Sequence, residues 1–449
     1  MQFELTAHFI DRVQQLISKK DGQALRAQLA DFHFADVAEL LEELNSYEAT
    51  FLIKLLASET TSEALIEVDE DLREKILDRL SPTEIAQELE ELDTDDAADI
   101  IAELDEEVQQ KVINKIEDEA HAADIVDLLR YNENTAGALM AKELVCVKET
   151  WTVAGCVTEM RRQAANVTRV HSIYVTNSEG KLTGRLSLKD LLTAPEKAHI
   201  SEVFIPKVDY VTVHTENEEV ARIMQKYNLE AIPVVDEKGI LVGRITIDDI
   251  VDFIKEEAEK DYQLAAGISQ DVEADDSIIT LTRARLPWLF LGLLGGVGAA
   301  AIMGGFEGVL NNHAILLLFT PLIAAMAGNV GVQSSAIIVQ GLANDDVKGS
   351  IGNRLLKEML LAMFNGAALA IVLFFFIWGW KGTVGYGLSI SVSLFAVIIV
   401  AGLIGTFIPL FLHKRGIDPA IATGPFITTS NDIFGILIYL WIAKLILGI

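Results

Sequence analysis

Five apolar segments, near 286–306, 314–342, 356–380, 386–412 and 421–447, leave the chain the fewest choices of fold. Each is long enough to cross a hydrocarbon core of about 30 Å as a helix. Lipid offers no water to the backbone, so such a run takes the one conformation that satisfies its N–H and C=O groups within the segment. The connection Trp380-Lys-Gly-Thr-Val-Gly385 between the third and fourth segments has room for a turn and nothing larger. An α-helical membrane domain of five spans over 286–449 is therefore predicted.

Inside the last of these segments lies a polar island, Pro425-Phe-Ile-Thr-Thr-Ser-Asn-Asp432-Ile-Phe-Gly435. A carboxylate at mid-membrane costs about 2.5–3.5 kcal/mol on insertion scales, and such groups mark ion or substrate paths. Thr428 and Thr429, about one helical turn earlier, are expected to bring hydroxyls to Asp432. The second span carries Asn329 and Gln333, one turn apart, with Gly328 and Gly331 allowing close backbone approach. Counted along their spans, Asn329 and Asp432 reach the same depth. An Asp with Thr, Asn and Gln oxygens is a hard-oxygen lining suited to Mg²⁺, which gives up its water reluctantly. The competing reading is a carboxyl and amides that merely hold helices together.

Charge divides the chain near residue 280. Of its 66 acidic and 36 basic residues, only Glu307, Asp345, Asp346, Glu358, Asp418 and Asp432 among the acids follow that point, against nine bases. The first part is thus strongly acidic, which repels nucleic acid and attracts divalent cations. Cys146 and Cys156 are too few for a disulfide framework and have no metal-ligand spacing. Met1-Gln-Phe-Glu-Leu-Thr lacks the basic region and apolar core of a secretory signal, so the acidic part is expected to stay in the cytoplasm. Arg283, Arg285, Lys348, Arg354, Lys357, Lys414 and Arg415 then fall inside, and only Lys381 and Lys444 outside. That asymmetry predicts an internal N-terminus and an external C-terminus.

Residues 1–130 read as short amphipathic helices in a small solenoid, with Asp36–Leu44, Asp96–Leu104 and Ala123–Leu129 sharing apolar positions. Ser81-Pro82-x-Glu84 marks a helix start. From about Thr135 the texture alternates between strands and helices. Ile173–Asp190 repeats as Ile232–Asp249 at a spacing of 59 residues, with turns at Glu179-Gly180 and Lys238-Gly239. Gly184-Arg-Leu-Ser187-x-x-Asp190 and Gly243-Arg-Ile-Thr246-x-x-Asp249 resemble the signature of a tandem CBS pair, an α/β module, here over 131–200 and 201–255. That resemblance implies a possible ATP or other adenosine-nucleotide site, with Thr246 and Asp249, then Ser187 and Asp190, as its ligands. The alternative is that both aspartates cap the helices that follow. A helical connector over 256–285 leads to the first span and carries Asp252, Glu256, Glu257, Glu259, Asp261, Asp271, Glu273, Asp275 and Asp276 along its approach.

This order of acidic helical domain, CBS-like pair, acidic connector and five spans resembles the MgtE family of magnesium transporters along nearly the whole chain. The matching residues are Tyr131-x-x-x-Thr135-Ala-Gly137-x-Leu-Met140, Gly305-Phe-Glu307, Gly328-Asn-x-Gly-x-Gln333 and the run from Asp418 to Gly435. The resemblance implies a homodimer in a bacterial inner membrane, its pore lined by the second and fifth spans with Asp432 at the ion site. It also implies closure by cytosolic Mg²⁺ bound at sensor acids, here Glu257, Glu259 and Asp261 of the connector and Asp95, Asp96 and Asp99 of the helical domain. Lys255 and Lys260 interleave with the connector acids. A divalent-cation exchanger coupled to H⁺ or Na⁺ and a CBS-regulated signalling protein are the alternatives. An enzyme is not expected: His313 and His413 stand alone in the sequence, no nucleophile lies beside a base, and no Gly-x-x-x-x-Gly-Lys-Ser/Thr run is present.

Overall fold

Short amphipathic runs separated by Asp, Asn and Ser become short capped helices. In the computed structural model, which describes residues 5–164, 167, 169–269, 272, 276–343, 347, 349–422 and 424–448, the chain divides into two units, Met1–Ile254 and Lys255–Ile449. Of the residues singled out above, Asp271, Glu273, Asp275, Asp345, Asp346 and Lys348 lie outside the described ones.

The first unit begins with ten helices, α1 (Ala7–Ser18) to α10 (Glu119–Leu128). Ser81 caps α7 (Pro82–Leu89) in a full capping box with Glu84, as the Ser-Pro-x-Glu pattern predicts. Asn45 and Glu48 build the same box one solenoid layer earlier. From α3 onward, helices pack most on the helix two positions on: α3 (Phe34–Glu42) on α5 (Ser58–Glu67), α5 on α7, and α8 (Thr94–Glu103) on α10. Leu40, Leu41, Leu52, Leu65, Ile85, Leu89 and Ile101 fill the seam. Each layer buries one apolar stripe on the next, which is why most of the acids face outward, with Glu88 and Asp95 as buried exceptions.

Two CBS repeats follow. The first contains β1 (Val145–Lys148), α11 (Val153–Gln163), β2 (Ile173–Thr176), β3 (Leu182–Leu186), α12 (Leu188–Thr193), α13 (Ile200–Val203) and β4 (Ile205–Pro206). β1 pairs parallel with β2, and β2 antiparallel with β3. The second has β5 (Val211–Thr212), α14 (Asn217–Tyr227), β6 (Ala231–Val235) and β7 (Leu241–Thr246), with the same parallel and antiparallel pairing. Gly180 and Gly239 take φ of 83° and 79° in the hairpin turns, where the left-handed region favours glycine. The repeats meet through these turns: Leu182 N–H donates to the Gly239 carbonyl at 3.1 Å, and Leu241 N–H to that of Gly180 at 3.2 Å. Donors and acceptors alike are 59 residues apart in sequence, so the sequence repeat has become a pseudo-two-fold.

α15 (Ile247–Ala266) starts in the second CBS repeat and continues into the second unit as one helix. The expected connector over 256–285 is therefore divided. Its first part is the end of α15, and its last eight residues belong to α16 (Ile278–Gly305), which Ser277 caps well before the apolar run begins. Hydropathy does not register a helix's polar first turns. The rest of the unit comprises α17 (Glu307–Asn312), α18 (Ile315–Ala343), α19 (Ile351–Lys381), α20 (Val384–His413), a 3-10 turn at Pro419–Ala422 and α21 (Gly424–Leu447). Five of these helices are long and apolar enough to cross a membrane. α20 is central, packing on α18, α19 and α21, while α16 packs on α21. Tyr439 ties α21 to α18 by donating its hydroxyl to the Leu316 carbonyl at 2.9 Å. His313, alone in the sequence, is paired in the fold: its Nδ1 lies 2.9 Å from the Tyr386 hydroxyl.

Candidate functional site

The membrane site is built on a seam of small residues between α18 and α21. A methyl on Gly328 would lie 3.4 Å from Thr428, and one on Gly435 3.1 Å from Ala327. At Gly331 there is no room for a methyl, because Ile427 would be 2.7 Å away and the Asn431 amide closer still. Gly405 of α20 meets the Gly331 backbone as well. Three helices thus converge on one glycine, the kind of close approach on which association in lipid depends.

Asp432 follows Asn431, turned about 100° round the helix, and is half-buried. Thr429 and Ile433 of the same helix pack on α16 at Gly295 and Gly298. Asp432 therefore occupies the arc between the face on α16 and the face on α18. Among the described residues no hydrogen bond joins Thr428 or Thr429 to it. Thr428 donates its hydroxyl to the Gly424 carbonyl of its own helix at 3.0 Å, and Thr429 lies against Gly295. A threonine hydroxyl in lipid is satisfied most readily by the carbonyl four residues back.

Asn329 lies near the level of Asp432 and Gln333 one turn further along α18, two residues on either side of Gly331, but both point elsewhere. Two residues are about 200° of helix, and both side chains are exposed on the face of α18 away from α21. Within one chain, neither amide shares a direction with the carboxylate. Sequence reasoning also passed over a second carboxylate, Glu358, which accepts from Ser334 Oγ at 2.6 Å and lies over Gly402. It sits seven residues into α19, about 10 Å along the helix.

In the first unit, residues that the sequence assigned to two different sites come together. Asp93 precedes α8, whose first turn carries Asp95 and Asp96, and Asp249 lies in the first turn of α15. Arg244 is buried among them: its Nη2 lies 3.4 Å from Asp93 and its Nε donates to the Glu143 carbonyl. Thr94 Oγ1 donates to Glu143 at 2.9 Å. Burial pushes the Asp96 carboxyl up to about 8, with Asp249, Asp93 and Asp99 adding to it. Asp93 is raised to about 6, first by burial and then by Glu143, against the pull of Arg244. Asp95 and Asp249 are raised in the same direction, burial again leading. Asp95 is 8% exposed and its Oδ1 has no hydrogen-bond partner. Among the described residues no three His, Cys, Asp or Glu converge as a ready cage for a metal ion. The cluster is a negative field suited to an ion that keeps much of its water.

These shifts carry a sign. A carboxyl raised above its unfolded value favours the protonated fold, so stability is lost as pH rises through the shifted values. Without divalent cations, the melting temperature of the full-length protein should fall from about pH 4 to about pH 8, with the share due to Asp93 spent by about pH 6 and that of Asp96 continuing to about pH 8. Millimolar Mg²⁺ should recover about 2–4 °C at the upper pH and little at the lower, measured by thermal unfolding at both.

Only Asp249 acts as a cap, because α12 is capped by Ser187, whose Oγ accepts from the Asp190 N–H at 3.0 Å. Ser187 Oγ donates to Asp190 at 2.6 Å, and the Thr246 N–H and hydroxyl both donate to Asp249 at 2.8 Å. The capping role therefore holds for Asp249 and not for Asp190. It coexists with a feature that fits a polar anionic ligand: the Tyr174 hydroxyl is buried with no partner among the described residues, in the field of Arg244 and Arg185. On the second unit, Glu257 accepts from Lys260 at 2.8 Å, and Glu259 and Asp261 are exposed on α15. Lys260 also lies in the field of Asp418.

Comparison with known proteins places this geometry in context. The chain matches family models described as MgtE intracellular N domain over 32–134, CBS domain over 136–197 and 200–256, and Divalent cation transporter over 320–442. It is 34% identical to the magnesium transporter MgtE of Thermus thermophilus, covering 97% of this chain and 98% of that one. The Bacillus subtilis magnesium transporter MgtE is 31% identical, with 92% and 95% covered. Among solved structures, the cytosolic domain of the Mg²⁺ channel MgtE in complex with ATP is 35% identical, with a TM-score of 0.52, covering 54% of this chain and 99% of that one. The soluble part of a magnesium transporter is 26% identical, with a TM-score of 0.50, covering 56% and 98%.

Proposed function

Because the chain belongs to the MgtE family of magnesium transporters, we propose that it is a Mg²⁺-selective, channel-like path that cytosolic Mg²⁺ closes. The observation that carries this reading is the placement of Asp432: a carboxylate at mid-helix in a segment able to span a membrane, beside the α18–α21 seam. Asn329 and Gln333 face away from it within one chain. A lining that contains both needs a second copy, so the working unit is a homodimer with α18 and α21 of each subunit around the path. Mg²⁺ passes with much of its water retained, held by carboxylate and amide oxygens. Its two charges make an inside-negative potential worth about 4.6 kcal/mol per 100 mV, so uptake needs no coupled ion. The setting is a bacterial inner membrane, with the acidic part in the cytoplasm and the C-terminus outside.

The gate follows from α15. Its end is seated on the start of α21: Gly424, at φ 53°, has no room for a methyl against the Ala265 carbonyl, and one on Gly267 would meet Pro425. A pull on α15 is thus delivered to the helix that carries Asp432. At low Mg²⁺ the acids around Asp95, Asp96 and Asp249 repel one another. A bound divalent ion relieves that repulsion and favours the compact arrangement of the cytosolic domains. Glu257, Glu259 and Asp261 extend the same field along α15. An adenosine nucleotide fits the CBS pair as a second regulator, with Asp249 on its ribose and Thr246 near its phosphates, where the two arginines also lie.

Inside-out patches test the reading. Mg²⁺ current should fall as bath Mg²⁺ is stepped from micromolar to tens of millimolar, and it should follow membrane potential. Flux that ignores potential and follows a pH gradient instead would replace the channel with a coupled exchanger.

A further inference from the structure

Asn431 is a buried polar group that the ion path does not use. The residue is 1% exposed, and among the described residues neither amide atom has a hydrogen-bond partner. It is aimed into the notch at Gly331, where Ile427 fills one edge and Gly405 of α20 approaches the same backbone. If packing were the whole purpose, an apolar side chain would fill the seam without stranding an amide. A polar key has a different use. Rotation of α21 that took Asn431 out of the notch would turn its amide toward hydrocarbon, which penalises every other orientation of the helix, much as one buried Asn fixes register in a coiled coil.

We infer that Asn431 is a positioning residue: seated over Gly331, it fixes the rotation of α21 and so holds Asp432 in the arc between α16 and α18. The inference rests on the reading of Asp432 as an ion ligand. Gly331 is the lock and must stay without a side chain. Two of the residues that flank this lock, Asn329 and Gln333, belong to the same proposed path, so one notch sets the direction of groups on both helices.

The test uses full-length protein in proteoliposomes, measuring Mg²⁺ influx against external Mg²⁺ and selectivity over monovalent cations. Gly331→Ala should raise the half-saturating Mg²⁺ concentration by about tenfold and erode selectivity, and Asn431→Ala should do the same more mildly. In the double variant the new methyl takes the space the amide leaves, so half-saturation should return to within about threefold of wild type. A double variant no better than Gly331→Ala, or an Asn431→Ala protein with wild-type half-saturation and selectivity, overturns the inference. Should Gly331→Ala fail to fold, Asn431→Leu decides. It fills the notch without polarity and should lose selectivity, and wild-type selectivity there refutes the polar key. Asp432→Ala separates the two layers. Wild-type conduction by that variant removes the ion-ligand reading and the inference with it, whereas an impaired Asp432→Ala beside unaffected Asn431 variants removes the inference alone.

Discussion

Asp432→Ala should reduce Mg²⁺ flux at least about tenfold, and Asp432→Asn should retain more flux while losing preference for divalent over monovalent cations. The expectation follows from charge. At 4 Å and an effective dielectric near 20, one unit charge acts on another with about 4 kcal/mol, and Mg²⁺ carries two. About 1.4 kcal/mol suffices for a tenfold change, so even partial loss of that attraction is measurable. Asparagine keeps an oxygen at the same place, and with it some coordination, but it removes the charge that favours a divalent ion. Proteoliposomes under an imposed potential report both quantities. Full flux in Asp432→Ala would place the ion elsewhere, and Glu358, bonded to Ser334, would be the next carboxylate to replace.

The combined replacement Asp95→Asn, Asp96→Asn and Asp249→Asn should make flux insensitive to cytosolic Mg²⁺. The three carboxylates are raised by burial and by one another, so their ionised forms oppose the compact fold. Amides remove that opposition without any metal. Flux at low Mg²⁺ should therefore drop toward the value that wild type shows at high Mg²⁺, a change of about fivefold or more if the coupling is in the usual range of 1–3 kcal/mol. Inside-out patches with stepped Mg²⁺ measure it directly. Flux that stays high at every Mg²⁺ concentration would mean that the carboxylates act as ligands whose loss prevents closure. Arg244 makes this cluster distinctive, since a guanidinium is already held between Asp93 and Glu143.

The site was legible in part. Asp432, Asn329 and Gln333 stood out because a polar residue within a long apolar run is costly wherever it points. Asn431 was in the same stretch and passed unnoticed, because an amide beside a carboxylate reads as a lesser version of it. Only the contact with Gly331 shows that it faces a different way. Thr428 and Thr429 were assigned to Asp432 by spacing along one helix, yet the Thr428 hydroxyl is taken by the Gly424 carbonyl and Thr429 lies against Gly295. In the first unit the sensor candidates Asp95 and Asp96 and the nucleotide candidates Thr246 and Asp249 are separate matters in the sequence. They share one acidic field, because the helical domain and the second CBS repeat bring α8 and the start of α15 together.

Quantities that add along the chain were settled by the sequence alone. Five apolar helices, the acidic character of the first half, the 59-residue repeat and the common depth of Asn329 and Asp432 each follow from counting residues in order. What the tertiary structure decided is direction: which face of α18 meets α21, which residue enters the notch at Gly331, and which side of its helix Asp432 occupies. Depth in a membrane depends on position along one helix, and hydropathy reports it. Azimuth depends on which side chains of other helices leave room, and no local property of the sequence contains that.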